Sequence, residues 1–209
     1  MTLLQITSVA APLNRPGLLA AATGLVRRAL GLGFLADRER IDRLDLELIR
    51  SIAREASKAG VGQDAAIALL EAKPSAPARL QALIARLDGQ LLESPVPQLE
   101  LRELQRIYDH ADLASLLGTS PASLRRYAAA SRTAPDPVAA RIHFVALVTS
   151  ELAGSYNEFG LRRWWGRARA ALEGRAPREV LTGAWDADGP EATAVAALAH
   201  ALAGGAGAS

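Results

Sequence analysis

The sequence predicts an all-α protein. Three observations carry that prediction: apolar residues recur at spacings of three and four along most of the 209 residues, no stretch reads convincingly as a strand, and proline or glycine marks the breaks between stripes. Half the residues are hydrophobic, enough to pack the core of one large domain or two small ones. The absence of cysteine excludes a disulfide framework, a thiolate zinc site and a cysteine nucleophile, and it is compatible with a reducing cytoplasm, where the protein is expected.

Residues 17–36 form the most apolar run. Arg27 and Arg28 interrupt it and no basic cluster precedes it, so neither a membrane span nor a secretory signal is expected; an acid-poor, arginine-containing start leaves a transit peptide or an interfacial helix as alternatives. From Asp37 to Ala59, Ile41, Leu44, Leu48, Ile49, Ile52 and Ala56 trace one helical face, and Gly60 closes it. A shorter helix follows over Gln63 to Ala72. Ser75 can cap the next, whose stripe is Leu80, Leu83, Ile84, Leu87 and Leu91. The Ser94-Pro95-Val96-Pro97 stretch then breaks the chain and sets a domain boundary. Beyond it the pattern predicts helices at Gln98 to His110, Val138 to Leu152 (after Pro135 and Pro137), Glu158 to Leu172, Pro177 to Thr182 and Pro190 to Ala203, with a flexible GGAGAS tail. The expected organisation is a helical domain at 1–97, a helix-turn-helix region at 98–153 and a small helical domain at 154–209.

Residues 112–127 read DLASLLGTSPASLRRY. Leu113, Leu116 and Leu117 give a short helix its apolar stripe, Ala114 permits close approach, and Gly118 stands where the turn calls for positive φ. Thr119 or Ser120 can cap a second helix, Pro121 fits its first position, and Leu124 and Tyr127 face inward at a spacing of three. Ala122, Ser123, Arg125 and Arg126 are left on or near the outer face. This is the local pattern of a helix-turn-helix, in which the start of the second helix enters the major groove. Ser120, Ser123, Arg125, Arg126 and Arg132 are therefore the candidate contacts to duplex DNA. A plain helical hairpin with solvated arginines fits the same spacing.

Charge is distributed unevenly. Residues 1–118 hold 14 basic and 14 acidic side chains, residues 119–178 hold ten arginines against four acids, and residues 179–209 hold four acids and no base. A net +6 on the middle segment can supply several phosphate contacts, the salt-sensitive part of DNA affinity. The preference for arginine is general, 22 against two lysines, so it carries no argument for bidentate base readout.

From Gly160 the chain reads GLRRWWGRARAALEGRAPREVL. Neighbouring residues on a helix point about 100° apart, so Trp164 and Trp165 cannot both lie on the centre line of one buried face. One tryptophan is expected in the core and the other at a boundary, where tryptophan and arginine commonly anchor partners. Which is which stays open, because Leu161 pairs with either at helical spacing.

Taken together, LASLLGTSPASLRR, the long helix after it, and an R-x-W…L-x-G-R-x-P-x-x-x-L pattern at Arg162, Trp164, Leu172, Gly174, Arg175, Pro177 and Leu181 resemble the Xre/MbcA/ParS antitoxin group over about residues 112–203. Where members commonly carry Pro-Asn, this chain has Ala168 and Arg169. The resemblance implies an Xre-like helix-turn-helix followed by a small helical toxin-binding domain. It also implies a non-enzymatic antitoxin that neutralises a RES-domain toxin acting on NAD and represses its own promoter. The partner-binding residues it implies are Arg162, Arg163, Trp164, Trp165, Leu172, Gly174, Arg175 and Pro177, with Gly174 and Pro177 shaping the turn. Residues 1–97 fall outside the resemblance; their apolar stripes suggest a dimerisation module, since a two-fold protein would match a palindromic operator. The alternative is a DNA-binding regulator or chromosome-associated protein without a toxin, and a third reading is an adaptor with protein partners alone.

An enzymatic role for the chain itself is not expected, and no cofactor or metal is. His110, His143 and His200 are far apart and match no metal-site spacing, and neither a GxSxG elbow nor a GxxxxGK phosphate loop occurs. His143, on a long apolar helix, reads as a satisfied buried or boundary histidine.

Overall fold

The computed structural model describes residues 3–38 and 40–205, and the chain divides into two compact units, Met1–Pro95 and Val96–Ser209. Both are mostly helical, as expected. The last four residues of the expected tail lie outside the described residues.

Unit 1 begins with strand β1 (Leu3–Val9), helix α1 (Pro16–Gly31) and strand β2 (Arg40–Leu44). The strands pair in parallel, Leu3 opposite Arg40 and Val9 opposite Leu44, with an irregularity in β1 between Leu4 and Ser8. A parallel pair needs a crossover, and α1 supplies it. Three helices follow: α2 (Leu46–Lys58), α3 (Gln63–Glu71) and α4 (Pro77–Glu93). The expected helix over 37–59 is thus corrected in its first third. Ile41 and Leu44 are buried at a helical spacing, but they lie on β2, and Asp45 interrupts the stripe by capping α2, its carboxylate accepting the Leu48 N–H at 2.9 Å. Gly60 does close that helix, at φ +78°. The cap expected of Ser75 does not form; Ala76 precedes α4 and Pro77 starts it.

The stripes of α2 and α4 are consumed within unit 1. Leu48, Ile49, Ile52 and Ala56, and likewise Leu80, Ile84, Leu87 and Leu91, are buried where α1 packs on α4 and α3 packs on both α2 and α4. Arg28 locks α1 to α4 with a two-pronged pair, Nε to Asp88 Oδ1 at 2.7 Å and Nη2 to Oδ2 at 3.3 Å. The apolar run at 17–36 is explained the same way: Leu18, Ala22, Leu25, Val26 and Ala29 face this core. No helix among the described residues is long and apolar enough to cross a membrane.

Unit 2 contains α5 (Pro97–Ile107), α6 (His110–Leu116), α7 (Pro121–Ala128), α8 (Asp136–Leu152), α9 (Glu158–Trp164), a 3-10 turn (Ala170–Leu172), α10 (Pro177–Val180) and α11 (Pro190–Gly205). Helix α5 is the hub, packing on α7, α8 and α9, while α6 packs on α7 and α11 on α8. The helix expected over 158–172 stops at Trp164. There the Arg178 backbone N–H donates to the Trp165 carbonyl at 3.0 Å, and a Cβ on Gly166 would lie 2.9 Å from Arg178 Nη2, so the chain turns where α10 begins to pack against it.

The turn between α6 and α7 admits only glycine at 118. Its φ is +61°, and a Cβ there would come within 1.9 Å of the Gly183 carbonyl oxygen and 2.8 Å of Arg141 Nη1. Gly118→Ala should therefore destabilise unit 2 by about 2 kcal/mol or more, through left-handed strain compounded by the clash. Thermal unfolding of the full chain checks this; a melting temperature equal to that of the parent would contradict it.

Candidate nucleic-acid interface and the tryptophan core

Helix α6 starts at Asp109, whose Oδ1 accepts the N–H groups of Ala111 and Asp112 at 2.9 and 2.8 Å. The Asp112 N–H bond is the leading cause that holds the Asp109 carboxyl below its ordinary pKa. At the other end, all four last carbonyls of α6 are satisfied. Thr119 N–H donates to Ala114 O and Gly118 N–H to Ser115 O, the two crossed bonds of a left-handed glycine cap. The remaining two are taken by side chains from distant sequence: Trp185 Nε1 donates to Leu116 O at 2.8 Å, and Arg141 Nη1 to Leu117 O at 2.9 Å.

Arg141 is only 5% exposed. A buried guanidinium requires compensation, and here it sits at the negative end of the α6 dipole with its Cζ 6.0 Å from the Trp185 ring centre. Phe144 meets Trp185 edge-on at 5.2 Å. Sequence reasoning missed this clamp. Its one local signal is Trp185, an isolated aromatic in a Gly/Asp-rich stretch; Arg141 reads as one more arginine of a basic segment.

Ser120 caps α7, its Oγ accepting the Ser123 N–H at 3.1 Å, so of Thr119 and Ser120 the second does the capping. Leu124 and Tyr127 are buried against α5 and α6. On the outer face, Ser120, Arg125, Arg126 and Arg132 are exposed and Ser123 is half-buried. Ser120, Ser123 and Arg126 form a hydrogen-bonded row, Ser120 Oγ to Ser123 Oγ at 3.0 Å and Arg126 Nη2 to Ser123 Oγ at 3.3 Å. Arg132 lies over the Tyr127 ring, its Cζ 5.9 Å from the centre. None of these three arginines pairs with a carboxylate among the described residues. The structure thus aligns Ser120, Ser123 and Arg126 in one row along α7, while Arg125 is exposed on the helix outside that row and Arg132 lies beyond the helix end, against Tyr127.

The tryptophans depart from expectation. Trp164 is 1% exposed and Trp165 4%, so both are core residues and neither stands at a boundary. Trp164 is the last residue of α9 and Trp165 caps it in right-handed helical backbone, its ring edge-on to Trp164 with centres 5.0 Å apart; both are buried because Tyr108 and the start of α10 also pack against Trp165. Trp165 Nε1 donates to the Tyr108 hydroxyl at 3.0 Å, and that hydroxyl shares a second bond with Thr149 Oγ1 at 3.0 Å. This chain joins the end of α5 to α8 and α9. Burial pushes the Tyr108 phenol above its ordinary pKa, with the bonds to Thr149 and Trp165 opposing.

Of the other implied partner-binding residues, Leu172 and Pro177 are buried, whereas Arg162, Arg163, Gly174 and Arg175 are exposed. Arg162 Nη1 donates to the Ile107 carbonyl at 3.1 Å, which gives it a supporting role at the α5 end. Gly174, at φ +80°, follows Glu173, also left-handed at φ +57°, and the turn closes through Gly174 N–H to Arg169 O at 2.9 Å and Arg169 N–H to Arg175 O at 3.0 Å. The recurring apolar positions of the pattern therefore build the fold, and its charged positions face solvent.

His143 is buried on α8 with Nδ1 2.6 Å from Glu100 Oε1, an oxygen that also accepts the Val96 N–H at 3.0 Å. The pair ties α8 to the start of α5. Among the described residues, no group of three or more His, Cys, Asp or Glu side chains could hold a metal ion.

Replacing either tryptophan by alanine should lower the stability of unit 2 by about 3–5 kcal/mol, since each empties a large core site. Tyr108→Phe should cost less, about 1–3 kcal/mol, by leaving the Trp165 N–H and the Thr149 hydroxyl short of a partner. Its signature is alkaline. The phenol is held neutral in the fold, so the parent's stability is intact below about pH 10 and falls as pH rises above it, when the unfolded chain loses a proton that the folded chain keeps. Urea unfolding at pH 8 and 10.5 should show a smaller alkaline loss in Tyr108→Phe than in the parent; equal losses would separate Tyr108 from this effect.

No family model matches the chain, and neither a curated protein nor a solved structure matches it.

Proposed function

We propose that this protein is a DNA-binding autoregulator of the antitoxin kind, reading duplex DNA with the outer face of α7 and neutralising a RES-domain toxin that acts on NAD. One observation supports the DNA half above all: Ser120, Ser123 and Arg126 form a row along a capped helix whose inner face is docked on α5 and α6, Arg125 and Arg132 are exposed nearby, and the three arginines have no carboxylate partner among the described residues. A helix so held can present its N-terminal turn to a groove without reordering, and the unpaired guanidiniums meet phosphates or base edges without first breaking ion pairs. Binding to a palindromic operator would engage two copies of the chain.

The toxin half rests on the sequence resemblance and on the exposed Arg162 and Arg163 of α9 and Arg175 of the Gly174 turn. Burial of both tryptophans removes the aromatic anchor from that surface, and this favours the second reading, a DNA-binding regulator with no toxin.

Fluorescence anisotropy with fragments of the chain's own promoter, at several salt concentrations, tests the DNA reading. Arg125→Ala and Arg126→Ala should each weaken binding; loss of a base contact lowers specific affinity by about 1–3 kcal/mol, whereas loss of a phosphate contact weakens all sequences alike and flattens the salt slope. Unchanged affinity in both variants would take α7 out of the interface. Co-purification of a RES-domain protein from the native host separates the two readings, its absence favouring the regulator without a toxin.

A further inference from the structure

Unit 2 carries a recess of about 360 Å³, distinct from the outer face of α7, lined by Tyr156, Phe159, Arg163, Trp164, Arg167 and Arg169 together with Gly160. Three of these are arginines and none is acidic. Two of the guanidiniums lie near aromatic rings, Arg163 Cζ 5.4 Å from the centre of Phe159 and Arg169 Cζ 5.8 Å from that of Trp164. Phe159 is 60% exposed at the recess, the most exposed large apolar side chain among the described residues.

The hydrogen-bond inventory is unbalanced in one direction. Among the described residues, Trp164 Nε1, Arg169 Nε and Arg169 Nη2 are buried donors that meet no acceptor. Buried donors are normally satisfied, and three close together on two residues that line one recess call for a shared acceptor. The geometry of Arg169 says which kind. Nε and Nη2 are the two parallel donors on one edge of the guanidinium, the edge that takes both oxygens of a carboxylate or phosphate. The protein itself uses that edge elsewhere: in unit 1, Arg28 grips Asp88 through the same two nitrogens. At Arg169 no oxyanion of the described residues meets the edge, and Arg163 and Arg167 add positive charge to the same recess.

We propose that this recess binds an oxyanion, with Arg169 as the two-pronged ligand, the Trp164 indole N–H as a further donor, and Arg163 and Arg167 as flanking charges. Carboxylate and phosphate share the required chemistry. Phosphate is favoured, because three guanidiniums exceed what one carboxylate charge balances. The proposal stands apart from DNA reading by α7, and it shares Arg163 with the surface assigned above to a toxin partner.

The test is a titration of the full chain with sodium phosphate at constant ionic strength, followed by the Trp164 indole N–H and Arg169 Nε–H resonances, the indole assigned by its loss in Trp164→Phe. A parallel arm uses sodium acetate. Both resonances should shift saturably, and Arg169→Gln should weaken phosphate binding tenfold or more. Arg163→Gln and Arg167→Gln, at exposed side chains that leave the core untouched, should each weaken it at least threefold, which keeps the test decisive if Arg169→Gln fails to fold. Arg102→Gln, at an exposed arginine of α5 outside the recess, should stay within twofold of the parent. Tighter saturation by acetate than by phosphate would assign the same site to a carboxylate. Shifts that rise linearly with either salt, or equal losses in the recess variants and Arg102→Gln, would overturn the proposal.

Discussion

The C-terminus of α6 is the point on which unit 2 depends. A seven-residue helix has little intrinsic stability, and its last four carbonyls, counting that of the cap residue Leu117, find their donors beyond the helix. Gly118 satisfies two by allowing the backbone to fold back on itself. Arg141 and Trp185 satisfy the others from α8 and from the segment before α11, 24 and 69 residues away along the chain. The same contacts bring the Gly183 carbonyl so close to Gly118 that no side chain fits between them. The helix-turn-helix is thereby tied to the C-terminal half of the unit, and the segment expected to form a separate domain shares its core.

The Tyr108, Trp165 and Thr149 chain plays a comparable part on another side of α5. Three polar groups that would each be costly alone are buried together and satisfy one another, which joins three helix ends in one arrangement. The Glu100–His143 pair adds a second polar tie between α5 and α8. With the inner side of α5 so fixed, α7 docks on a rigid base and its arginines are left outward.

In unit 1 the sheet is small and its logic is that of a crossover. Two parallel strands cannot bury both faces unaided; α1 connects them, and its apolar face is locked to α4 by Arg28 and Asp88. The stripes of α2 and α4, read as surface for self-association, face this core, so the apolar residues on which the dimerisation argument rested are already covered within one copy.

Much was legible in the residues because it is local. Helix periodicity places α3 to α8 and the end of α2 to within a few residues, and the turn at Gly118, the inward Leu124 and Tyr127 and the outward Arg125 and Arg126 follow from spacing, capping chemistry and the positive φ that glycine tolerates. What misled was also local reasoning: Ile41 and Leu44 have helical spacing but lie on a strand, since pairing with β1 is decided by residues more than 30 positions away. The two tryptophans cannot share one face of a helical wheel, yet both are buried because Tyr108 and the start of α10 meet Trp165. Tertiary structure alone decided where α9 stops, that Arg141 is a buried cap and not a surface cation, and that Arg169 and Trp164, which line one recess, hold buried donors without an acceptor among the described residues. Each of these depends on which distant carbonyl or ring arrives beside the side chain, a matter of packing that no periodicity encodes.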